Sequence, residues 1–188
     1  MSRWEPNARS RLEQAALDLY RERGFDQTTV TEIAQRAGLT ERTFFRYFVD
    51  KREMLFWGQE ILRELYMRTI AAMPGSAAPI DMVAAALEAS VPVFNDRREI
   101  VRQRQAVIAA NPGLQERELL KRAALASAMS DALRQRGVPD PIASLTANVG
   151  VLAFTTAFVR WVNAPDEYDL SQLIREALDQ LKVITAGT

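Results

Sequence analysis

The chain has 188 residues, room for one or two domains, and its 48% apolar and 26% charged residues are the balance of a globular protein with a sizeable core. It contains no cysteine and no histidine, which excludes disulfides, thiolate nucleophiles, Cys/His zinc sites and Ser-His-Asp triads; no metal or cofactor is expected. With 24 basic and 24 acidic residues the formal net charge is zero, so any basic surface is local.

The N-terminal MSRWEPNARSR lacks the apolar core of a signal peptide. No apolar run reaches the ~18 residues of a membrane span. A cytoplasmic chain without membrane contact is expected. Ala, Leu, Arg, Glu and Gln dominate, apolar residues recur at spacings of three and four, and no stretch alternates long enough for a strand, so the fold class is all-α.

The first helix is predicted over Asn7–Arg23, with Leu12, Ala15, Ala16, Leu19 and Tyr20 on its apolar face and Gly24 as its stop. Thr29 and Glu32 form a capping box for a second helix, which buries Ile33, Ala34 and Ala37 and ends at Gly38. Thr40 caps a third helix carrying Phe44, Phe45, Tyr47 and Phe48, of which Phe44 and Phe48 read as core. After a break near Asp50 a long helix is expected over Lys51–Met73, and Asp50 reads as its cap. The PGSAAP stretch at Pro74–Pro79 is the clearest linker. Helices are predicted beyond it at Ile80–Phe94, Arg97–Ala110, Pro112–Arg136, Pro141–Val162 and Leu170–Ile184, the last two separated by a turn at Ala164–Glu167.

The connector between the second and third helices is only Ala-Gly-Leu-Thr, too short for antiparallel packing. Residues 29–48 therefore read as a helix-turn-helix. Its second helix groups Thr40, Arg42, Thr43, Arg46 and Tyr47, with Lys51 just beyond. Arg pairs bidentately with guanine O6 and N7 in the major groove, whereas Thr, Tyr and Lys bond phosphates and set register. Helix starts at Thr29 and Thr40 offer free N–H groups to phosphate. Arg3, Arg9 and Arg11 either extend this phosphate-binding start or belong to a frayed terminus.

Residues 9–55 resemble the DNA-binding domain of the tetracycline-repressor (TetR) family. The matching residues are Arg9, Leu12, Ala15–Ala16, Leu19–Tyr20, Glu22, Gly24–Phe25, Thr28–Val30, Ile33–Ala34, Ala37–Thr40, Thr43–Phe45, Tyr47–Phe48, Lys51 and Leu55. The resemblance implies an all-α protein with a DNA-binding domain at 6–66 and an effector-binding and dimerisation domain at 67–188. It implies DNA contacts at Thr28, Thr29, Thr40, Arg42, Thr43, Phe45, Arg46, Tyr47 and Lys51. The family commonly has Tyr where Phe45 stands, so a phosphate bond is lost there and apolar contact remains. The expected protein is a non-enzymatic homodimeric repressor, released from a pseudo-palindromic double-stranded operator by a small molecule that tilts the helix at Lys51–Met73.

The C-terminal half adds its own signals. Ala143, Ala147, Gly150, Ala153 and Ala157 form a small-residue stripe, and Leu170, Leu173, Ile174, Ala177, Leu178 and Leu181 an apolar one. Together they suggest a four-helix dimer bundle through 141–162 and 170–184, the alternative being an intramolecular core. Trp57, Tyr66, Met82, Phe94, Met129, Phe154, Phe158 and Trp161 are candidate walls for an apolar or aromatic effector, with Arg104, Asn148 and Thr155 as polar orienters. Two other functions fit parts of the pattern: an activator or ligand-independent regulator with the same head, and an all-helical carrier or enzyme with no DNA role.

Overall fold

The computed structural model describes residues 8–94, 96–164 and 168–186, all of its regular structure helical. Arg3 and residues 165–167 of the expected turn lie outside them. The elements in order are α1 (Ala8–Arg23), α2 (Val30–Arg36), α3 (Glu41–Tyr47), a 3-10 turn (Glu53–Phe56), α4 (Gly58–Ala72), α5 (Pro79–Ala89), α6 (Val91–Phe94), α7 (Arg98–Ala109), α8 (Pro112–Gln135), α9 (Asp140–Asn163) and α10 (Leu170–Ala186).

Two expected helices are interrupted. The helix predicted over Lys51–Met73 is a 3-10 turn followed by α4. The Asp50 carboxylate accepts from the backbone N–H groups of Arg52 (2.7 Å) and Glu53 (2.6 Å), which starts the tighter turn, and α4 begins anew at Gly58. The helix predicted over Ile80–Phe94 divides at Ser90, whose hydroxyl donates to the Leu87 carbonyl at 2.6 Å. Pro92 cannot donate to the ladder of α5, so the chain restarts there as α6.

The chain forms two compact units, one of residues 1–58 and 99–118, the other of 59–98 and 119–188. This differs from the expected division at 66/67 in two places: residues 59–66 belong to the second unit, and residues 99–118 to the first. The physical reason for the latter is burial. Val107, Ile108 and Leu114 share one apolar cluster with Leu12, Ala16, Leu19, Ile33, Phe44 and Met54. Polar contacts inside the first unit complete the join: Arg104 donates to the Leu55 carbonyl and pairs with Glu118 at 3.3 Å, and Arg117 pairs with Glu53 at 2.6 Å.

In the second unit α9 packs against α10 and α5, and α10 also meets α5. The small-residue stripe of α9 lies inside this packing. Ala143, Ala147 and Ala157 are fully buried, and a Cβ added at Gly150 would come within 2.3 Å of Val83 Cγ1. Leu170, Leu173, Ile174, Ala177 and Leu178 of α10 are buried as well. The close approach read from these two stripes is therefore intramolecular. They are the core of one chain and not the contact between two.

Candidate functional site

The helix-turn-helix is held by local chemistry that the sequence announces. Thr29 Oγ1 accepts from the Glu32 N–H at 3.2 Å, while the Glu32 carboxylate takes the Thr29 N–H at 2.9 Å, so both bonds of the capping box are made. These bonds, together with Arg23 at 2.7 Å, hold the Glu32 carboxyl below its ordinary pKa. Thr40 caps α3 by accepting from the Thr43 N–H at 3.2 Å. At the turn, Gly38 adopts φ +64°, and Arg11 Nη2 donates to the Ala37 carbonyl at 2.5 Å. A Cβ at Gly38 would come within 2.9 Å of that guanidinium. Arg11 thus pins the turn itself, a role different from a phosphate-binding start.

The cations divide into paired and available ones. Arg36 makes two bonds to Glu22 (3.0 and 2.7 Å), and Arg23 is taken by Glu32. Arg42 is exposed on α3 with no ion pair among the described residues, and Arg46 donates to the Tyr47 hydroxyl at 3.1 Å with its guanidinium 4.9 Å from that ring's centre. Phe45 is 54% exposed beside them and meets Phe44 edge-on at 5.4 Å. Thr29 and Thr40 are exposed, and Thr43 and Tyr47 half-buried.

Two residues read as phosphate contacts are turned inward. Thr28 is buried and its hydroxyl donates to the Gly24 carbonyl at 2.9 Å. The Lys51 ammonium donates to the carbonyls of Phe25 (2.8 Å), Asp26 (3.2 Å) and Thr28 (2.8 Å) and lies 4.5 Å from the centre of the Phe25 ring. Its three N–H donors are all used within the chain. Both residues hold the loop between α1 and α2 that carries Thr29.

The candidate effector residues separate in the same way. Phe94, Phe154, Phe158 and Trp161 come together in the second unit, with Phe94 5.9, 5.2 and 6.2 Å from the other three ring centres. Arg98 stacks 5.1 Å from the Trp161 ring and donates to the carbonyls of Trp161 and Ala164, capping the end of α9. Tyr66 is 1% exposed, and no described residue meets its hydroxyl in hydrogen-bonding geometry; burial pushes its pKa up, and the nearby Ser90 side chain offsets part of that rise. Met82 and Met129 are core, Met129 Cε lying 3.7 Å from a Cβ built on Gly150. Trp57 belongs to the first unit, where its ring supports Arg9 at 4.7 Å. Arg104 is likewise committed within the first unit, and exposed Asn148 bonds the Ser144 carbonyl of its own helix. Thr155 is half-buried on α9.

Comparison with known proteins finds two family matches. Residues 13–56 match the family described as bacterial regulatory proteins, tetR family, and residues 77–185, more than half of the chain, match the MftR C-terminal domain. The chain belongs to the TetR family. This TetR-family transcriptional regulator is 32% identical over 111 residues to the putative mycofactocin biosynthesis transcriptional regulator MftR of Mycobacterium tuberculosis, covering 55% of the chain and 52% of that protein. It is 30% identical over 81 residues to the HTH-type transcriptional regulator TcmR of Streptomyces glaucescens, covering 43% and 36%. The chain thus spans between a third and about half of the length of these curated relatives. Its fold matches that of FadR from Bacillus subtilis in complex with stearoyl-CoA at TM-score 0.57, with 18% identity over 92% of this chain and 96% of that one.

TetR-family regulators bind DNA and dimerise, and the regulator carries a surface suited to the second task. Ile142, Leu145, Leu152 and Val159 of α9 are 50, 67, 58 and 48% exposed. With half-buried Val149 and exposed Thr156 they alternate at three and four residues, the period of a coiled-coil seam. That spacing was present in the sequence but was eclipsed by the small residues on the opposite side of α9. Among the described residues α9 is also the one helix long and apolar enough to cross a membrane, although no continuous apolar run marks it. Its inner face is nevertheless packed on α5 and α10, and Arg160 pairs with Glu176 at 3.2 Å.

Proposed function

We propose that this TetR-family regulator is a homodimeric, ligand-responsive repressor acting in the cytoplasm on a pseudo-palindromic operator. The observation that carries the DNA reading is the exposed face of α3, where unpaired Arg42 and stacked Arg46 flank Phe45 on a helix fixed by its Thr40 cap. On this reading exposed Arg42 pairs with guanine O6 and N7, Thr29, Thr40, Thr43, Arg46 and Tyr47 border the groove and its phosphates, and Phe45 makes apolar contact. Thr28 and Lys51 act from behind by holding the loop before α2. A gel shift on the gene's own upstream DNA tests this: retardation that weakens steeply with salt is expected, and none at low salt refutes it.

The dimer face is the outer stripe of α9, with exposed Val183 and Ile184 near the end of α10. At about 25 cal/mol per Å², burying four large aliphatic side chains against their symmetry mates contributes several kcal/mol. Two-fold symmetry then matches half-sites ~34–36 Å apart or a multiple. Leu145→Glu with Leu152→Glu is expected to give a folded monomer by sedimentation; an unchanged dimer sinks this assignment.

The effector is apolar or aromatic, received by the Phe94, Phe154, Phe158 and Trp161 cluster, with the unpartnered Tyr66 hydroxyl as its polar anchor. It acts through differential affinity for two states of the dimer. A thermal-shift panel of flat aromatics and long-chain acyl thioesters tests the class, and release from the operator by none of them refutes it.

A further inference from the structure

Three elements of the first unit converge on two aromatic rings. Arg9, in the first turn of α1, places its guanidinium 4.7 Å from the centre of Trp57 and 5.5 Å from that of Tyr47. Arg46 stacks on the same Tyr47 ring at 4.9 Å and donates to its hydroxyl at 3.1 Å. Trp57 is oriented in turn, its indole N–H directed to Glu13 Oε1 at 3.4 Å, four residues along α1 from Arg9. Arg9 is exposed and forms no ion pair with any described residue.

A guanidinium stacked on a ring keeps its planar fork of N–H donors free at the edge. The stack also removes much of the rotamer freedom that a surface Arg loses on binding. A cation held by two rings, with no carboxylate paired to it among the described residues, is built to meet an anion, and the anion available next to α3 on a DNA-bound head is a backbone phosphate.

We propose that Arg9 is a phosphate-binding residue of the reading surface and that Trp57 is its positioning residue. The assignment rests on the DNA reading of α3. It gives Trp57 a place in the DNA interface and takes it away from the effector site. It also gives the neutral chain a third available guanidinium beside Arg42 and Arg46, on a different helix.

Anisotropy titrations over a salt series, on a labelled duplex of the upstream region, test it; phosphate contacts need no cognate sequence. Each phosphate neutralised contributes about 0.9 to the slope of log K against log salt, so Arg9→Ala is expected to reduce the slope by about 1.8 for a dimer. Trp57→Phe, which keeps a ring face, retains the wild-type slope. Trp57→Ala weakens binding several-fold, and adding it to Arg9→Ala costs little more, because the two act through one contact. An unchanged slope in Arg9→Ala while the wild type binds overturns the Arg9 assignment and leaves the DNA reading standing. Additive losses in the double variant overturn the role of Trp57. A wild type that does not bind at low salt removes the DNA reading, and this assignment falls with it.

Discussion

Lys51→Met separates two roles that the sequence alone does not. As a phosphate grip, Lys51 would add one counterion-releasing contact per protomer and contribute little to the fold. In the structure its ammonium closes on the carbonyls of Phe25, Asp26 and Thr28 at 2.8–3.2 Å and rests on the Phe25 ring. Hydrogen bonds from a charged donor contribute roughly 1.5–3 kcal/mol, and a cation over an aromatic face about 0.5–1 kcal/mol when exposed. The three bonds do not add, because they share one half-exposed ammonium and solvent can replace part of what the substitution removes. A loss of about 2–3 kcal/mol is therefore expected, read as a lower urea midpoint at unchanged m-value. Operator affinity falls with the loosened loop, but the salt slope stays at its wild-type value. A variant within ~0.5 kcal/mol of wild type, with a slope reduced by about one per protomer, would refute the carbonyl cage as the function of Lys51.

Three further outcomes are expected. Gly150→Ala gains about 1 kcal/mol of helix propensity but drives a methyl into Val83, an overpacking cost of ~1–3 kcal/mol, so a net loss of about 1 kcal/mol is expected by urea denaturation, relieved when Val83→Ala is added; no coupling between the two positions would place Gly150 elsewhere than against α5. Tyr66→Phe removes a buried hydroxyl without a partner and is expected to leave the melting temperature unchanged or higher while weakening the effector response; a clear drop in melting temperature would mean that the hydroxyl is bonded. Glu32 has a folded-state pKa below its unfolded one, so its contribution is present at neutral pH and is lost as pH falls through that lowered value. Glu32→Gln accordingly melts lower than wild type at pH 7, with the gap closing as pH falls through the lowered pKa, and a gap independent of pH contradicts the capping role.

How much of the fold and the site is legible in the sequence depends on the range of each interaction. The capping box at Thr29 and Glu32, the Thr40 cap and the Gly38 turn are contacts within four residues, and each is written in the order of the letters. The break at Asp50 was legible for the same reason. The sequence could not show what reaches those elements from afar. Arg11 bonds Ala37 across 26 residues and Lys51 bonds Phe25 across the same distance, and in the sequence such a residue is indistinguishable from a DNA ligand because its partners lie far along the chain. The allocation of residues 99–118 to the first unit had no local signal either, since Val107 and Leu114 are ordinary apolar residues of amphipathic helices.

The small-residue stripe of α9, expected to join two chains, differs for another reason, because a second stripe on the same helix is equally present in the sequence. Small residues and large aliphatics occupy opposite sides of the same helix, and each pattern is a known way for helices to meet. Helix separation decides between them. The Gly150 side accommodates Val83 so closely that no Cβ fits, which makes it a contact fixed within one chain. Leu145 and Leu152 stand 67 and 58% exposed on the other side. An exposed apolar seam opposite the packed face also explains why α9 is apolar enough to resemble a membrane span: it is apolar on both faces, one packed inside the chain and one exposed, the latter proposed as the dimer contact. The cluster of Phe154, Phe158 and Trp161, the proposed effector site, lies on that same helix, α9, so on this proposal ligand binding and dimer geometry share a single element.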